Sequence, residues 1–233
     1  MLTDGDEVRC HLCGRWMRMV GGQHLLTQHD MTTSEYRELF HLLATTSTAS
    51  AATGERKRTR IIVDHCRRAV AWVYERVAGF GGDPSRIYVS GNSAGGHLAA
   101  VMLVEGWPEA YGLPEDVVKG ACAISGVYDL RALVGAPPGG PNDELAMDEE
   151  VAARYSPIAH LPSRPRPLIV AVGEPEGGVF RPQAQAFVAA WRAAGLPVTF
   201  LELLGQHHFS MGRQLGDPTS ELHVATMAML GVA

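Results

Sequence analysis

The stretch Val89–Ala99 reads VSGNSAGGHLA and sets Ser93 between Gly91 and Gly95, with Asn92 and Ala94 on either side. The residues leading into it, RIYVSG, form a short β-branched and aromatic run of the kind that makes a strand. Those that follow, AGGHLAAVMLVEG, have a helical pattern that Gly106 and Pro108 bring to an end. A G-x-S-x-G motif between a strand and a helix is the setting of a nucleophile elbow. The serine sits there on a sharp, strained turn, and Gly91 and Gly95 are expected to supply the room that the turn needs. The helix starting behind the serine points its first N–H groups toward the place where negative charge develops, so Ala94 N–H is the expected oxyanion donor.

A serine by itself is a poor nucleophile and needs a base, which in turn needs an acid to orient it. An elbow serine is followed along the chain first by the acid and then by the histidine. Further strand-like runs are GACAISG, PLIVAVGE and PVTFLEL. Between and around them lie the helical patterns of Val63, Cys66, Val70, Val73 and Val77, of RPQAQAFVAAWRAAG, which Gly195 should stop, and of PTSELHVATMAML. In the last of these, Thr219 is expected to set the start and Leu222 and Val224 the apolar face. Such alternation of strand and helix predicts an α/β protein with a mostly parallel sheet flanked by helices. The acid should follow PLIVAVGE, where Glu174 and Glu176 stand, and the base should follow PVTFLEL, where His207 and His208 stand. His97 reads as a packing residue beside the elbow and Asp129 as a local turn or cap. Tyr128 and Phe209 could line an acyl pocket or fill the core.

Composition sets the outer bounds. The chain has 233 residues, 46% hydrophobic and 19% charged, with a net charge of −5, which gives no overall electrostatic case for nucleic acid. The charge is unevenly spread: residues 1–60 hold 8 basic against 7 acidic side chains, and residues 61–233 hold 12 against 18. That asymmetry suggests two units with different partners. The acidic start MLTDGDEV does not read as a signal peptide, and no apolar run approaches a membrane span, so a cytoplasmic protein with reduced thiols and no membrane partner is expected. Cys66 and Cys122 lie in apolar surroundings and read as small core residues.

Residues 61–233 resemble the α/β-hydrolase superfamily, and within it the kynurenine formamidase-like esterases. The resemblance rests on VSGNSAGGHLAA, SGVYDLRAL, YSPIAHLP, VGEPEGGVFRPQAQAF and GQHHFSMGRQLGDPTSEL. It implies hydrolysis of a small-molecule ester or formamide by an acyl-enzyme, with no cofactor in the chemistry. Glu174, Phe180 and Gln183 match the frame around the family's acid, which puts Glu176 in a slot where the family has aspartate. The family histidine directly precedes a phenylalanine, which selects His208. The resemblance also implies a larger sheet than the four strand runs legible here, and a His-Gly-Gly loop before the elbow as the second oxyanion donor. No such loop stands before Ser93, since the glycines of VGGQH at 20–24 follow no strand pattern. The expectation is therefore the C-terminal half of the fold, with activity impaired by the missing loop. The strand RIYVSG would then present an apolar edge that needs a cover, such as the N-terminal unit or a second copy of the chain.

The N-terminal region carries its own pattern. Cys10 and Cys13, then His24 and His29, are zinc-ligand types at finger-like spacing. Thr32 and Glu35 form a capping-box pattern for the helix that follows. CHLCGRWMRM, HLLTQHDMT and SEYRELF resemble the zinc finger of MucR/Ros-type bacterial regulators, which implies a structural zinc and duplex DNA as a partner. Arg9, Arg15, Arg18 and Arg37 make only a thin basic surface for that purpose, thickened by RKRTR at 56–60. The expected organisation is a zinc-finger-like unit at 1–43, a linker at 44–60 and the hydrolase region at 61–233. The alternative to an enzyme is a zinc-finger regulator whose C-terminal half is an inactive hydrolase derivative.

Overall fold

The structure is a computed structural model, and it describes residues 3–4, 7–40, 42, 59–135, 142–145 and 147–232. The chain divides into two compact units, Met1–Ile62 with Ala132–Val151, and Val63–Arg131 with Ala152–Ala233. Most of the expected linker, residues 44–58, lies outside the described residues. Its last two positions, Thr59 and Arg60, are helical.

In the smaller unit three very short strands pair antiparallel in the order β1 (Thr3–Asp4), β2 (Glu7–Arg9), β3 (Trp16–Met17). Two helices follow, α1 (Gly22–His29) and α2 (Thr33–Leu39). Gly21 caps α1 and Gly22 begins it, so the glycines of VGGQH serve a helix start. The capping box of α2 is formed: Thr32 N–H donates to Glu35 Oε2 at 2.7 Å, and Glu35 N–H donates back to Thr32 Oγ1 at 3.2 Å. The buried core here is Val8, Cys10, Val20, Leu25 and Tyr36.

The larger unit is built on four parallel strands in the order β4 (Ile87–Asn92), β5 (Val118–Ile124), β6 (Leu168–Gly173), β7 (Val198–Leu203). Its helices are α3 (Thr59–Arg76), α4 (Ala94–Val101), α5 (Phe180–Ala193), α6 (His208–Gln214) and α7 (Glu221–Leu230). The two-residue period of the strands divides the core between the two faces of the sheet. Ala121, Ala123, Leu168, Val170 and Val172 pack with Ala99, Leu103, Phe187 and Trp191 from one side. Cys122, Ile124, Ile169 and Ala171 pack with Met211 and Leu222 from the other. Near-continuous apolar strands such as LIVAVG are what a parallel sheet covered on both faces requires.

Three details depart from the sequence reading. The helix behind the elbow stops at Val101, well before Gly106, because Leu103 N–H turns back to Ala100 O and Val104 N–H to Val101 O, which tightens the chain into turns. Helix α7 is capped by Ser220, whose Oγ accepts from Leu222 N–H at 3.2 Å, while Thr219 is bonded to Asp217. Val224 is exposed, and the buried positions of α7 are Leu222 and Thr226. Strand β4 forms one edge of the sheet among the described residues, with Tyr88 and Val89 half-buried and Ser90 exposed.

The aromatic column of this core gives a direct test. Phe187 stacks on Tyr128 at 4.4 Å and meets Trp191 edge-on at 5.4 Å. Phe187→Ala is expected to cost about 3–5 kcal/mol, read as a lower midpoint in a urea titration with an unchanged slope.

Candidate active site and Cys/His cluster

The strand β4 delivers Ser93 into a turn that its backbone resists. Ser93 has φ 60 and ψ −120, a region that non-glycine residues occupy only when their surroundings force it. Close packing supplies the force. A Cβ on Gly91 would stand 2.3 Å from Gly95 O, and one on Gly96 would stand 2.4 Å from Ile124 O. Ser93 N–H also donates to Ile124 O at 2.9 Å, which ties the turn to the neighbouring strand. Gly95 itself is not crowded, since a Cβ there would meet open space. The room at the elbow therefore comes from Gly91 and Gly96, which corrects the expectation for Gly95. Ala94 begins α4, so its N–H belongs to the first turn, whose donors lack intrahelical acceptors.

Two further parallel strands bring the partners. Glu176 lies just past β6, and His208 opens α6 just past β7. His208 Nε2 is 3.0 Å from Ser93 Oγ, and His208 Nδ1 is 2.9 Å from Glu176 Oε2. With Nδ1 carrying the proton, it donates to the carboxylate and leaves Nε2 to accept from the serine hydroxyl. Phe180 stacks on the imidazole at 4.2 Å, which limits its tilt. Glu176 is buried, and its other oxygen, Oε1, accepts from Ser125 Oγ–H at 2.7 Å and from Gly173 N–H at 3.0 Å. A buried carboxylate is tolerable only with donors of this kind around it.

The remaining expectations sort themselves by contact. Glu174 is exposed and accepts from Gly205 N–H. His207 is exposed and caps the N-terminus of α6. Asp129 holds the Arg131 guanidinium and its N–H, a local turn as expected, and that contact holds its carboxyl below the usual range. His97 is buried with Nε2 2.7 Å from Tyr155 O, and burial holds its pKa below the ordinary value, so it is a neutral packing residue. Tyr128 fills the core. Phe209 lies 84% exposed beside His208, outside the core. Burial pushes the Cys122 thiol up to about 11, which keeps it unreactive, and Cys66 is half-buried against the core. Asn92 reaches His208 O from Nδ2 at 3.4 Å. Local sequence pattern carries no sign of Ser125 or of the stacking of Phe180, because each meets a partner far away in the sequence.

Residues 56–137 match the family model described as alpha/beta hydrolase fold, a span that includes the elbow. The larger unit has the α/β-hydrolase fold. The chain is 34% identical over 176 residues to the kynurenine formamidase of Danio rerio, covering 73% of this chain and 57% of that protein. It is 34% identical over 166 residues to the esterase LipQ of Mycobacterium tuberculosis, covering 63% of this chain and 38% of that one. The chain thus spans little more than half the length of these curated relatives at most. A truncated form of a carbohydrate esterase from gut microbiota superposes with a TM-score of 0.63 over 75% of this chain and 69% of its own, at 20% identity, and so shares the fold. At the N-terminus, residues 3–62 match the model of the ROS/MUCR transcriptional regulator proteins.

Within that N-terminal match the structure gathers four ligand types. The turn between β2 and β3 holds Cys10 and Cys13, closed by Gly14 at φ 69, whose N–H donates to Cys10 O. Helix α1 presents His24 and His29. One ligand atom from each of the four lies within 4.8 Å of the others. Cys10 Sγ to His29 Nε2 is 3.7 Å, Cys13 Sγ to His24 Nε2 is 3.6 Å, and His24 Nε2 to His29 Nε2 is 3.3 Å. Ordinary zinc bond lengths imply tetrahedral edges of about 3.5–3.6 Å for sulfur to nitrogen and about 3.3 Å for nitrogen to nitrogen. The donor set therefore fits a tetrahedral ion. Burial raises the Cys10 thiol pKa, but the backbone N–H groups of Cys13 and Leu12, together with the Cys13 and Tyr36 side chains, leave it below the usual value. Burial, with His29 and Arg15 nearby, lowers His24 and favours the neutral ring that a metal needs.

The hydrolase elbow yields an unequal set of glycine effects. Gly95→Ala should retain the fold and add up to about 1 kcal/mol of stability as a helix residue. Gly91→Ala and Gly96→Ala should each lower the thermal midpoint and, through the displaced serine, slow labelling of Ser93 by a fluorophosphonate.

Proposed function

We propose that the hydrolase domain is an enzyme that cleaves a carboxylic ester or formamide bond through an acyl-enzyme. One observation carries this reading: the unbroken chain of hydrogen bonds from Ser93 through His208 to Glu176 at the ends of three parallel strands. Ser93 Oγ attacks the carbonyl carbon while His208 Nε2 takes its proton. His208 then gives that proton to the departing alcohol or amine, and water, activated by the same ring, releases the acid. Glu176 holds the ring in the required tautomer and stabilises its charged form. Ala94 N–H meets the oxyanion. The esterase and formamidase relatives support the substrate class. With the elbow supplying one donor and no His-Gly-Gly loop before it in the sequence, turnover should be slower by about 10²–10³ than in a site with two donors.

The test uses p-nitrophenyl acetate and N-formylkynurenine. Ser93→Ala should abolish hydrolysis of either and block fluorophosphonate labelling. Hydrolysis that survives this change would defeat the reading.

A second reading belongs to the small unit, where the Cys/His geometry supports it. Cys10, Cys13, His24 and His29 would hold a structural zinc, which would add ligand bonds to the small cluster of Val8, Cys10, Val20, Leu25 and Tyr36. Reduced thiols suit a reducing compartment such as the cytoplasm. The regulator match supports duplex DNA as the partner of this unit, a less well-supported role than the enzyme. Elemental analysis should find about one zinc per chain, lost with Cys13→Ser. Binding to duplex DNA should be present at about 50 mM salt, weaken as salt rises, and be lost in the same variant.

A further inference from the structure

We infer that Ser125 is a positioning residue for the proposed acyl transfer, its hydroxyl fixing the Glu176 carboxylate so that the glutamate arm meets His208. The inference rests on the hydrolase reading of Ser93, His208 and Glu176.

The problem it answers is geometric. A glutamate side chain has one more rotatable bond than an aspartate, the other acid that serves in this role. The last torsion of a glutamate is broad and poorly fixed by its own sterics. A carboxylate held only by the histidine could therefore turn about that bond. Here Oε2 faces His208 Nδ1 at 2.9 Å, and Oε1 is held by two donors from two different strand ends. One is Gly173 N–H at 3.0 Å, close to the end of β6. The other is Ser125 Oγ–H at 2.7 Å, just past β5. Two donors on one oxygen and one on the other define the carboxylate plane.

Ser125 is specialised for this contact. It is fully buried, and its N–H donates to Ala171 O at 2.8 Å, which fixes its backbone. Its φ is 47, in the left-handed region that glycine occupies at no steric cost. A residue needed only to make the turn would be better as glycine. The hydroxyl is what serine adds, and that hydroxyl points at Glu176. Gly173 meets the same need from the other side: a Cβ there would lie 1.9 Å from Gln206 O and 3.0 Å from Glu176 Oε1, so only glycine lets its N–H approach the carboxylate.

The experiment compares Ser125→Gly and Ser125→Ala with the native chain. Ser125→Gly removes the hydroxyl but relieves the backbone, so its melting temperature should fall less than that of Ser125→Ala, which loses the hydroxyl and keeps the strain. Three readouts are taken on each protein: kcat and KM for p-nitrophenyl acetate, the rate of fluorophosphonate labelling at Ser93, and the downfield proton resonance of His208 Nδ1–H, assigned by its loss in His208→Gln. We expect kcat and labelling to fall about 10- to 100-fold in both variants, the range for losing a hydrogen bond to a charged group, with KM nearly unchanged. The His208 resonance should move upfield or broaden. Native kcat or an unmoved resonance in a folded Ser125→Gly would overturn the inference, as would a loss that tracks only a lower folded fraction. If the native chain shows no Ser93-dependent turnover or labelling, the hydrolase reading fails on its own account. The resonance still decides whether Ser125 orders the Glu176–His208 pair.

Discussion

A serine at φ 60 and ψ −120 persists only where neighbouring backbone leaves it no alternative, and the larger unit is arranged around that constraint. Gly91 lies against the carbonyl of Gly95, Gly96 lies against the carbonyl of Ile124, and Ser93 N–H is bonded to the same Ile124 oxygen. Strand β4, helix α4 and the end of β5 are thus locked at three points. The strained turn is held by the sheet beneath it. Because α4 begins directly after the serine, its first N–H groups, which lack intrahelical acceptors, belong to the same turn. The same packing sends the chain from the end of β5 into a second left-handed residue, Ser125, directly beside the carboxylate.

Parallel topology makes the rest of the site economical. Each strand brings one member of the hydrogen-bonded set to its C-terminal end: Ser93 from β4, Ser125 from β5, Glu176 from β6 and His208 from β7. Consecutive strands are neighbours, so groups remote in sequence become adjacent at one end of the sheet. The stacking of Phe180 on His208 adds a restraint from the first residue of α5. Gln183, one turn further on, accepts from Tyr128 and Asp129 N–H and donates to Asp129 O, so the same helix also fixes the loop that follows Ser125.

What the sequence disclosed follows from the range of the interactions involved. The elbow was legible because its cause is local: small residues at fixed offsets between a strand and a helix. The four strands of the sheet were legible because a doubly covered strand must be apolar throughout, as in LIVAVG. Choosing His208 over His207, and Glu176 over Glu174, required the family frame, since both members of each pair are the right type in the right loop. Periodicity failed where a short-range hydrogen bond competed with it. Helix α4 ends where i to i+3 bonds replace the helical ones, and α7 begins at Ser220 because Asp217 occupies Thr219. Gly95 was misjudged because spacing identifies which residues are small and says nothing about which are crowded. Ser125 left no mark at all, because its partner stands 51 positions away.

The two units satisfy the same thermodynamic requirement by different means. The larger one buries aromatic and aliphatic side chains on both faces of a sheet, and Tyr128, Phe187 and Trp191 alone form a continuous column. Among the described residues the smaller one has strands of two or three residues and one small buried cluster, Val8, Cys10, Val20, Leu25 and Tyr36. A cluster of that size removes little apolar surface from water, and small units commonly add a metal or disulfides to such a core. Its Cys and His atoms nevertheless stand at separations suited to a common tetrahedral ion, and backbone N–H groups already favour the thiolate of Cys10. In the larger unit the polar site is precise because the apolar core is rigid. In the smaller one the order is reversed: the polar cluster is what would hold the apolar residues together.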